Sequence, residues 1–190
     1  MKLLPALIFL CITNFSFSQD TLKIYRWEAI QKANPDTILA IDASKLKWEQ
    51  IPEKLYAFKN LKYLNISKNK LKELPLEMGV FKSLKTLDAT KNDLDGAPIV
   101  ICQMPKLQRL HLARNRISSL PACTGYLADL KVLDIWDNPI NVLPEEILGL
   151  KKLEAVDMRG ILLGPRFQQK WEESMPQVKW YFDAPCRCVE

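Results

Sequence analysis

A segment of 23 residues recurs along this chain, and this periodicity restricts the possible folds more than any other feature of the sequence. Four copies begin LKYLNISKNKL, LKTLDATKNDL, LQRLHLARNRI and LKVLDIWDNPI. With two divergent flanking copies, ILAIDASKLKW and LEAVDMRGILL, the copies start at residues 38, 61, 84, 107, 130 and 153. A unit this short cannot bury its own leucines, so each copy must stack on its neighbours in an elongated array.

Apolar residues alternate within each copy as they do along a β-strand. In the second copy the alternation turns Leu64 and Ile66 inward and leaves Tyr63, Asn65 and Ser67 facing outward. Two further columns recur, Asn at the ninth residue of the four central copies and Pro at the fifteenth residue of the first five. A buried Asn amide can bond backbone groups of adjacent turns, so we assign the Leu, Asn and Pro columns to the scaffold.

The pattern L-x-x-L-x-L-x-x-N-x-L, followed by x-x-L-P, resembles that of the leucine-rich repeat family in its 23-residue form. The resemblance covers residues 38–175 and implies an α/β solenoid of about six repeats. A curved parallel β-sheet would line its concave face, and short helical or irregular segments its convex face. Caps are expected over residues 19–37 and 176–190, because an uncapped solenoid exposes its core and sheet edge.

Apolar spacing predicts the elements of the two caps. A short covering helix is expected from the residues Ile24, Trp27, Ile30 and Ala33. At the other end a helical face is followed by an alternating strand, which together comprise Phe167, Trp171 and Met175, then Val178, Trp180 and Phe182.

The first 18 residues have the composition of a secretory signal peptide. A positive start, Met1-Lys2, precedes an apolar stretch from residue 3 to 12, and small residues place cleavage near Ser18-Gln19. The apolar stretch is shorter than the roughly 20 residues that span a bilayer, and no later segment is long enough. We therefore expect an exported protein, periplasmic or extracellular, without a transmembrane segment in the mature chain.

Composition and charge exclude several classes of function. Apolar residues make up 48% and charged residues 26%, which is typical of a globular chain rather than a disordered one. The net charge of +5, from 27 Lys and Arg against 22 Asp and Glu, is too small for a nucleic-acid-binding protein. A single His excludes a multi-histidine metal site, and we expect no cofactor.

The outward strand positions form the candidate binding face. The fifth residues of the copies form a largely acidic column, which comprises Asp42, Asn65, Asp88, His111, Asp134 and Asp157. Mostly basic columns flank it, at the second position of the copies with Lys62, Lys85, Gln108 and Lys131, and at the eighth with Lys45, Lys68, Lys91, Arg114 and Asp137. Two interpretations stay open: a self-neutralised solvated surface, or a polar surface that a partner recognises by its charge pattern.

Large or charged residues on this face are the candidate partner-binding residues, because Trp, Tyr and Arg dominate binding hot spots. The set is Tyr63, Asp88, Arg109, His111, Asp134, Trp136 and Arg159. Trp136 stands in a column of smaller residues and would contact a partner, or else stack on Arg159 or Arg114. The row Asp88, His111, Asp134 could bind a divalent metal or polarise a water, but neighbouring strands lie too far apart for shared ligation and no nucleophile is near.

Four cysteines remain after signal cleavage, Cys102, Cys123, Cys186 and Cys188. Cys102 and Cys123 lie in adjacent copies and are expected to pair, and the tail cysteines to bond each other or another molecule. A redox-active C-x-C tail is the alternative.

Two functions from different classes are compatible with these observations. The resemblance favours a non-enzymatic module that binds another protein through its concave face. The alternative is a binding protein for a glycan or peptidoglycan fragment of the cell envelope, with Tyr63 and Trp136 stacking on sugar rings. We expect no enzyme, since the stretch after Leu163 is too short for a catalytic domain.

Overall fold

The computed structural model describes residues 22–96 and 98–184. The predicted signal segment and the tail cysteines Cys186 and Cys188 lie outside these residues. None of the helices in the described ranges is long and apolar enough to span a membrane.

Eight parallel strands form one sheet in chain order, with each strand paired to the next. The strands are β1 Tyr25–Arg26, β2 Ala40–Asp42, β3 Tyr63–Asn65, β4 Thr86–Asp88, β5 Arg109–His111, β6 Val132–Asp134, β7 Ala155–Asp157 and β8 Lys179–Tyr181. From β2 to β7 each residue pairs with the equivalent residue of the next copy, as Leu64 does with Leu87 and Leu87 with Leu110. The predicted α/β solenoid with a strand in every copy is confirmed.

The opposite side of the solenoid is built from short helices. Six copies contribute 3-10 helices at Glu53–Ala57, Leu76–Val80, Ile99–Gln103, Ala122–Tyr126 and Glu145–Gly149, and the α-helix α1 at Pro165–Ser174. The Pro column stands immediately before the five 3-10 helices, where its restricted φ suits the chain entering a helix and its missing N–H costs nothing. Between sheet and helices lies one continuous apolar core made of the inward leucines and their equivalents.

The buried Asn column holds successive copies together through backbone hydrogen bonds. Asn92 Nδ2 donates to the carbonyls of Ala89, in its own copy, and Ile66, in the preceding one, at 2.9 and 3.1 Å. Its Oδ1 accepts from the Leu71 N–H at 3.1 Å. Asn69, Asn115 and Asn138 repeat the pattern, so the predicted role of this column is confirmed.

The chain leaves each strand through a residue in the left-handed region. The eighth residue of each copy has a positive φ, in turn Lys45 62°, Lys68 57°, Lys91 57°, Arg114 57°, Asp137 55° and Gly160 70°. This conformation costs a residue other than Gly or Asn about 1 kcal/mol. The backbone conformation therefore does not explain which side chains occupy this column.

The two caps differ in how well the sequence predicted them. At the start, the structure has β1 and a 3-10 helix, Trp27–Ile30, and Ile24 is 53% exposed, so the predicted helix over this segment is largely wrong. The segment pairs with β2 as a strand, although its apolar spacing fits a helix. The indole of Trp27 packs edge-on against that of Trp48, with 5.2 Å between the ring centroids. At the other end α1 and β8 confirm the predicted helix and strand.

A disulfide joins Cys102 and Cys123 in adjacent copies, with a Cα–Cα distance of 5.7 Å. The predicted pairing of these two residues is therefore present in the structure. The bond links the 3-10 helices of the third and fourth copies on the outer side, away from the concave sheet.

Thr124 occupies an apolar position of the fourth copy, where the first, second, third and fifth copies place a Leu, Met or Ile. Its side chain is fully buried, and its Oγ1 has no hydrogen-bond partner among the described residues. We expect Thr124→Val to raise the free energy of unfolding by roughly 1–2 kcal/mol, because it removes a buried hydroxyl at nearly constant shape. Chemical unfolding followed by circular dichroism measures the change. Thr86→Val on the half-exposed sheet face is the matched control, and an unchanged or lower stability for the Thr124→Val variant would refute the explanation.

Candidate functional site

The concave face is lined by side chains that stand on the parallel strands and point away from the core. In β3 to β7 the third and fifth residues of each copy are half-buried, whereas the fourth residue, between them, is fully buried. Equivalent side chains of neighbouring copies therefore lie in columns, about 4.8 Å apart. All seven predicted binding residues lie on this face, in the strands or within two residues of them.

The acidic column has a structural task that sequence reasoning missed. Oδ1 of Asp88 accepts the backbone N–H of Thr90 at 2.9 Å, and the carboxylate of Asp134 accepts that of Trp136 at 3.3 Å. Asp42, Asn65 and Asp157 make the same bond to the residue two positions on. One oxygen of each side chain thus stabilises the turn after its strand, and the second is left for other partners, as Oδ2 of Asp134 is for His111 and Oδ2 of Asp157 is for Arg159. The preference of Asp and Asn for such turns is a signal that could have revealed this role.

His111 replaces the turn-forming acid in the fourth copy. Its Nδ1 lies 3.3 Å from Oδ2 of Asp134, its neighbour in the sheet register, while Asp88 is its neighbour on the other side. The structure thus brings the predicted row of three together. Within residues 22–96 and 98–184, no group of three His, Cys, Asp or Glu side chains is arranged to hold a metal ion.

Tyr63 lies half-buried near the first strands, between two carboxylates. Burial raises the pKa of its phenol, and the charges of Asp88 and Asp42 raise it further, while a hydrogen bond with Asn65 acts in the opposite direction. Its hydroxyl therefore remains a neutral hydrogen-bond donor at physiological pH. Tyr63 stands three strands away from β6, the strand that Trp136 follows.

Trp136 forms the centre of a mixed aromatic and charged group. The guanidinium of Arg114 lies 5.3 Å from its ring centroid, so of the two predicted stacking partners the structure selects Arg114. Beside the indole is a hollow of about 470 Å³ that is also lined by Arg159, Gly160 and Asp183. Sequence reasoning missed Asp183, although it stands 23 residues after Gly160, whose N–H it accepts at 2.6 Å.

Arg159 is held at the edge of this hollow. Its guanidinium donates to both carboxylate oxygens of Asp157, at 3.0 and 2.6 Å, and this hydrogen bonding raises the pKa of Arg159. It also lies 5.7 Å from the ring centroid of Tyr181, which sequence reasoning did not place on the face. A bidentate pair of this kind fixes the direction of the remaining donors.

The two basic columns change character along the face. In the fifth copy the eighth position becomes Asp137, which lies 3.5 Å from the Arg114 Nε, and in the sixth the second position becomes Glu154, which binds Lys131 at 2.9 Å. The predicted acidic stripe between two basic ones therefore describes the N-terminal half of the face. The C-terminal half is largely self-neutralised.

Family models and solved structures agree on what the chain is similar to. A model described as leucine rich repeat matches residues 105–161, and a second with the same description matches residues 60–81. A leucine-rich repeat protein of Leptospira interrogans is 26% identical, with a TM-score of 0.68 over 76% of this chain and 36% of that one.

Two internalins of Listeria monocytogenes have the same fold. Internalin F is 15% identical, with a TM-score of 0.66 over 78% of this chain and 44% of that one. Internalin C2 is 18% identical, with a TM-score of 0.59 over 65% of this chain and 53% of that one. The chain thus spans between about a third and about half of the length of these three structures. Among curated proteins, none matches it by sequence.

Proposed function

Because the chain is a leucine-rich repeat protein, a fold that commonly serves as a non-enzymatic scaffold for protein interactions, we propose that it binds another protein through its concave face. The observation that carries the proposal is the kind of residue found there. Tyr63, Arg109 and Trp136 stand on this face, and none of them belongs to the buried core. Side chains of this type supply most of the binding energy in protein interfaces.

The scaffold columns leave few other positions open to recognition. The Leu column fills the core and the Asn column bonds backbone groups between copies. One oxygen of each acidic side chain forms the turn after its strand. The side chains of outward residues such as Trp136 and Tyr63 carry none of these tasks, which supports a role in contacting a partner.

Export from the cytoplasm forms part of this proposal. The apolar segment before residue 18 has the pattern of a secretory signal, with cleavage near Ser18-Gln19. The disulfide between Cys102 and Cys123 supports it, because such bonds persist in oxidising compartments. The partner would then be a periplasmic or extracellular protein.

Binding of a cell-envelope glycan is the second candidate function. The observation that favours it is the hollow beside Trp136, where an indole, a guanidinium and the Asp183 carboxylate surround a space of about 470 Å³. An aromatic ring with polar groups at its edge suits the apolar face and hydroxyls of a sugar. Arg114 already stacks on the indole, so a sugar would have to share or displace that contact.

We expect Trp136→Ala to weaken binding of the partner protein about tenfold or more, since a central aromatic hot spot contributes upwards of about 2 kcal/mol. Proteins from the envelope and culture medium of the producing cells are captured on the immobilised chain, and the strongest is purified for titration. Tyr63→Ala and Arg109→Ala are measured with it. Tyr126→Ala is the matched control, because Tyr126 is 76% exposed on the outer side.

The same variants separate the two candidate functions. If Tyr63→Ala, Arg109→Ala and Trp136→Ala all keep full affinity, the partner does not bind the concave face and the proposal is wrong. A glycan array probed with the wild-type chain tests the second candidate, which requires binding that Trp136→Ala abolishes. Glycan binding without a captured protein would replace the first proposal by the second.

A further inference from the structure

Four of the lysines at the two rims of the concave face flank the strands β3 and β4, in its N-terminal half. Lys62 and Lys85 precede β3 and β4, and Lys68 and Lys91 follow them. We call these four residues the rim lysines. Among the described residues, none of the four makes an ion pair or donates a side-chain hydrogen bond. Further along, the equivalent Arg114 and Lys131 are paired with Asp137 and Glu154.

Among the described residues, neither an ion pair nor a backbone preference explains why lysines occupy these positions. Equivalent residues of neighbouring copies lie about 4.8 Å apart at the strands, so each pair of rim lysines brings like charges close together. Lys68 and Lys91 also have a φ of 57°, which Gly or Asn adopts at lower cost. Both effects act against stability in the free protein. Anionic groups of a partner would relieve the repulsion and give these side chains a function.

The centre of the same region is rich in acceptors and carries negative charge. Between the rims lie Asp42, Asn65 and Asp88 in adjacent strands, and each uses one oxygen for the turn after its strand. A uniformly anionic polymer lying along the groove would meet the carboxylates of Asp42 and Asp88. A better ligand offers N–H donors in the middle and carries its negative groups at both sides.

An extended peptide has this arrangement. Its backbone N–H groups project from the chain axis at roughly right angles to the side chains, and successive side chains point to opposite sides. The two rims are six residues apart along each copy, a span of at most about 20 Å. Glu or Asp side chains of a peptide that crosses the strands would point towards Lys62 and Lys85 on one side and Lys68 and Lys91 on the other.

We infer that the N-terminal half of the concave face binds an extended acidic segment of the partner protein, with its carboxylates on the rim lysines. The inference rests on the proposed function and names the chemistry of the partner. The self-neutralised C-terminal half, around Trp136, would take a segment of little net charge.

The test uses defined probes and the full mature chain. A fluorescent peptide of alternating Glu and Gly is titrated by anisotropy, beside a peptide of alternating Gln and Gly, inorganic polyphosphate and a sulfated polysaccharide. We expect the Glu peptide to bind at least about tenfold more tightly than the Gln peptide, with an affinity that falls as salt is added. Equal affinity for the two peptides overturns the inference. Tighter binding of polyphosphate or the polysaccharide overturns it in favour of a polyanion.

Charge reversal locates the site. Replacement of all four rim lysines by Glu is expected to reduce binding of the Glu peptide by about tenfold or more. The matched control reverses Lys32, Lys59, Lys72 and Lys151, four exposed lysines outside the rims, and changes net charge by the same amount. Equal losses in the two proteins would mean that net charge, and no defined site, attracts the peptide.

A milder variant is measured as well, in case the protein with four charge reversals does not fold. Lys62→Gln with Lys85→Gln changes only residues of ordinary backbone conformation, and is expected to weaken the Glu peptide while circular dichroism stays unchanged. Full affinity in this variant overturns the placement of the site. If the peptide fails to bind but Trp136→Ala still weakens the captured partner, the inference is wrong and the proposed function stands.

Discussion

Replacement of Asn115 by Ala is expected to lower the free energy of unfolding by about 3–5 kcal/mol. The Asn115 amide donates to the carbonyls of Leu112 and Ala89, at 2.8 and 3.1 Å, and its oxygen accepts the N–H of Leu94 at 3.2 Å. Alanine would leave these three backbone groups without that partner in the interior. Each such group costs roughly 1–3 kcal/mol, which exceeds the gain from removing the amide itself.

Guanidinium unfolding monitored by circular dichroism measures this loss. Asn141→Ala is the matched control, because Asn141 belongs to an exposed part of the fifth copy and should change stability by less than about 0.5 kcal/mol. Amide hydrogen exchange of Leu94 provides a local readout, and its protection is expected to fall in the Asn115→Ala variant. A loss no larger than that of the control would show that water or local rearrangement replaces the amide, and the assigned role of the Asn column would be wrong.

Removal of the disulfide is expected to destabilise the chain by about 3 kcal/mol, the value that the chain-entropy relation gives for a loop of this length. The bond spans 21 residues and links adjacent copies on the outer side. In the double variant Cys102→Ala, Cys123→Ala the unfolded chain regains the freedom that the cross-link removes. The folded solenoid keeps its sheet and its Asn column, so the expected result is lower stability with unchanged secondary structure.

Unfolding of wild type and variant, with and without reductant, tests this expectation. Reductant should bring the wild-type midpoint close to that of the double variant and leave the variant unmoved. A wild-type midpoint that equals the variant's under oxidising conditions would contradict the stabilising role. Peptide mapping without reduction is the accompanying control, and it also reports the state of Cys186 and Cys188, whose pairing stays a prediction.

The parts of the fold that could be predicted from sequence are those that the repeat specifies many times over. Leu64, Leu87 and Leu110 occupy one column because the same burial problem is solved in each copy, so one interpretation serves all of them. The N-terminal cap occurs once. There the spacing of Ile24, Trp27 and Ile30 fits a helix, but the sheet edge offers backbone partners, and Tyr25 pairs with Ile41 instead.

The sequence predicted which residues lie at the candidate site, but not the contacts that they make there. Alternation along the strands is enough to place Tyr63 and Trp136 on the concave face. It does not reveal that Asp88 uses one oxygen to accept the N–H of Thr90, or that Arg114 pairs with Asp137. These contacts depend on turn geometry and on side-chain directions after the strand ends, which spacing alone does not encode. Which residues of the face touch a partner stays a prediction.

The constant register of the sheet also has a consequence for folding kinetics. From β2 to β7, each strand pairs with the next one, so the paired residues are one copy apart in the chain. The hydrogen bonds of the Asn column join residues that are only slightly further apart. The loop that must close before a copy can dock is therefore equally short everywhere in the array. Additional copies would add contacts without requiring longer chain loops to close, so the folding rate would fall little as the number of copies grows. A folding nucleus formed by any two neighbouring copies can grow in both directions.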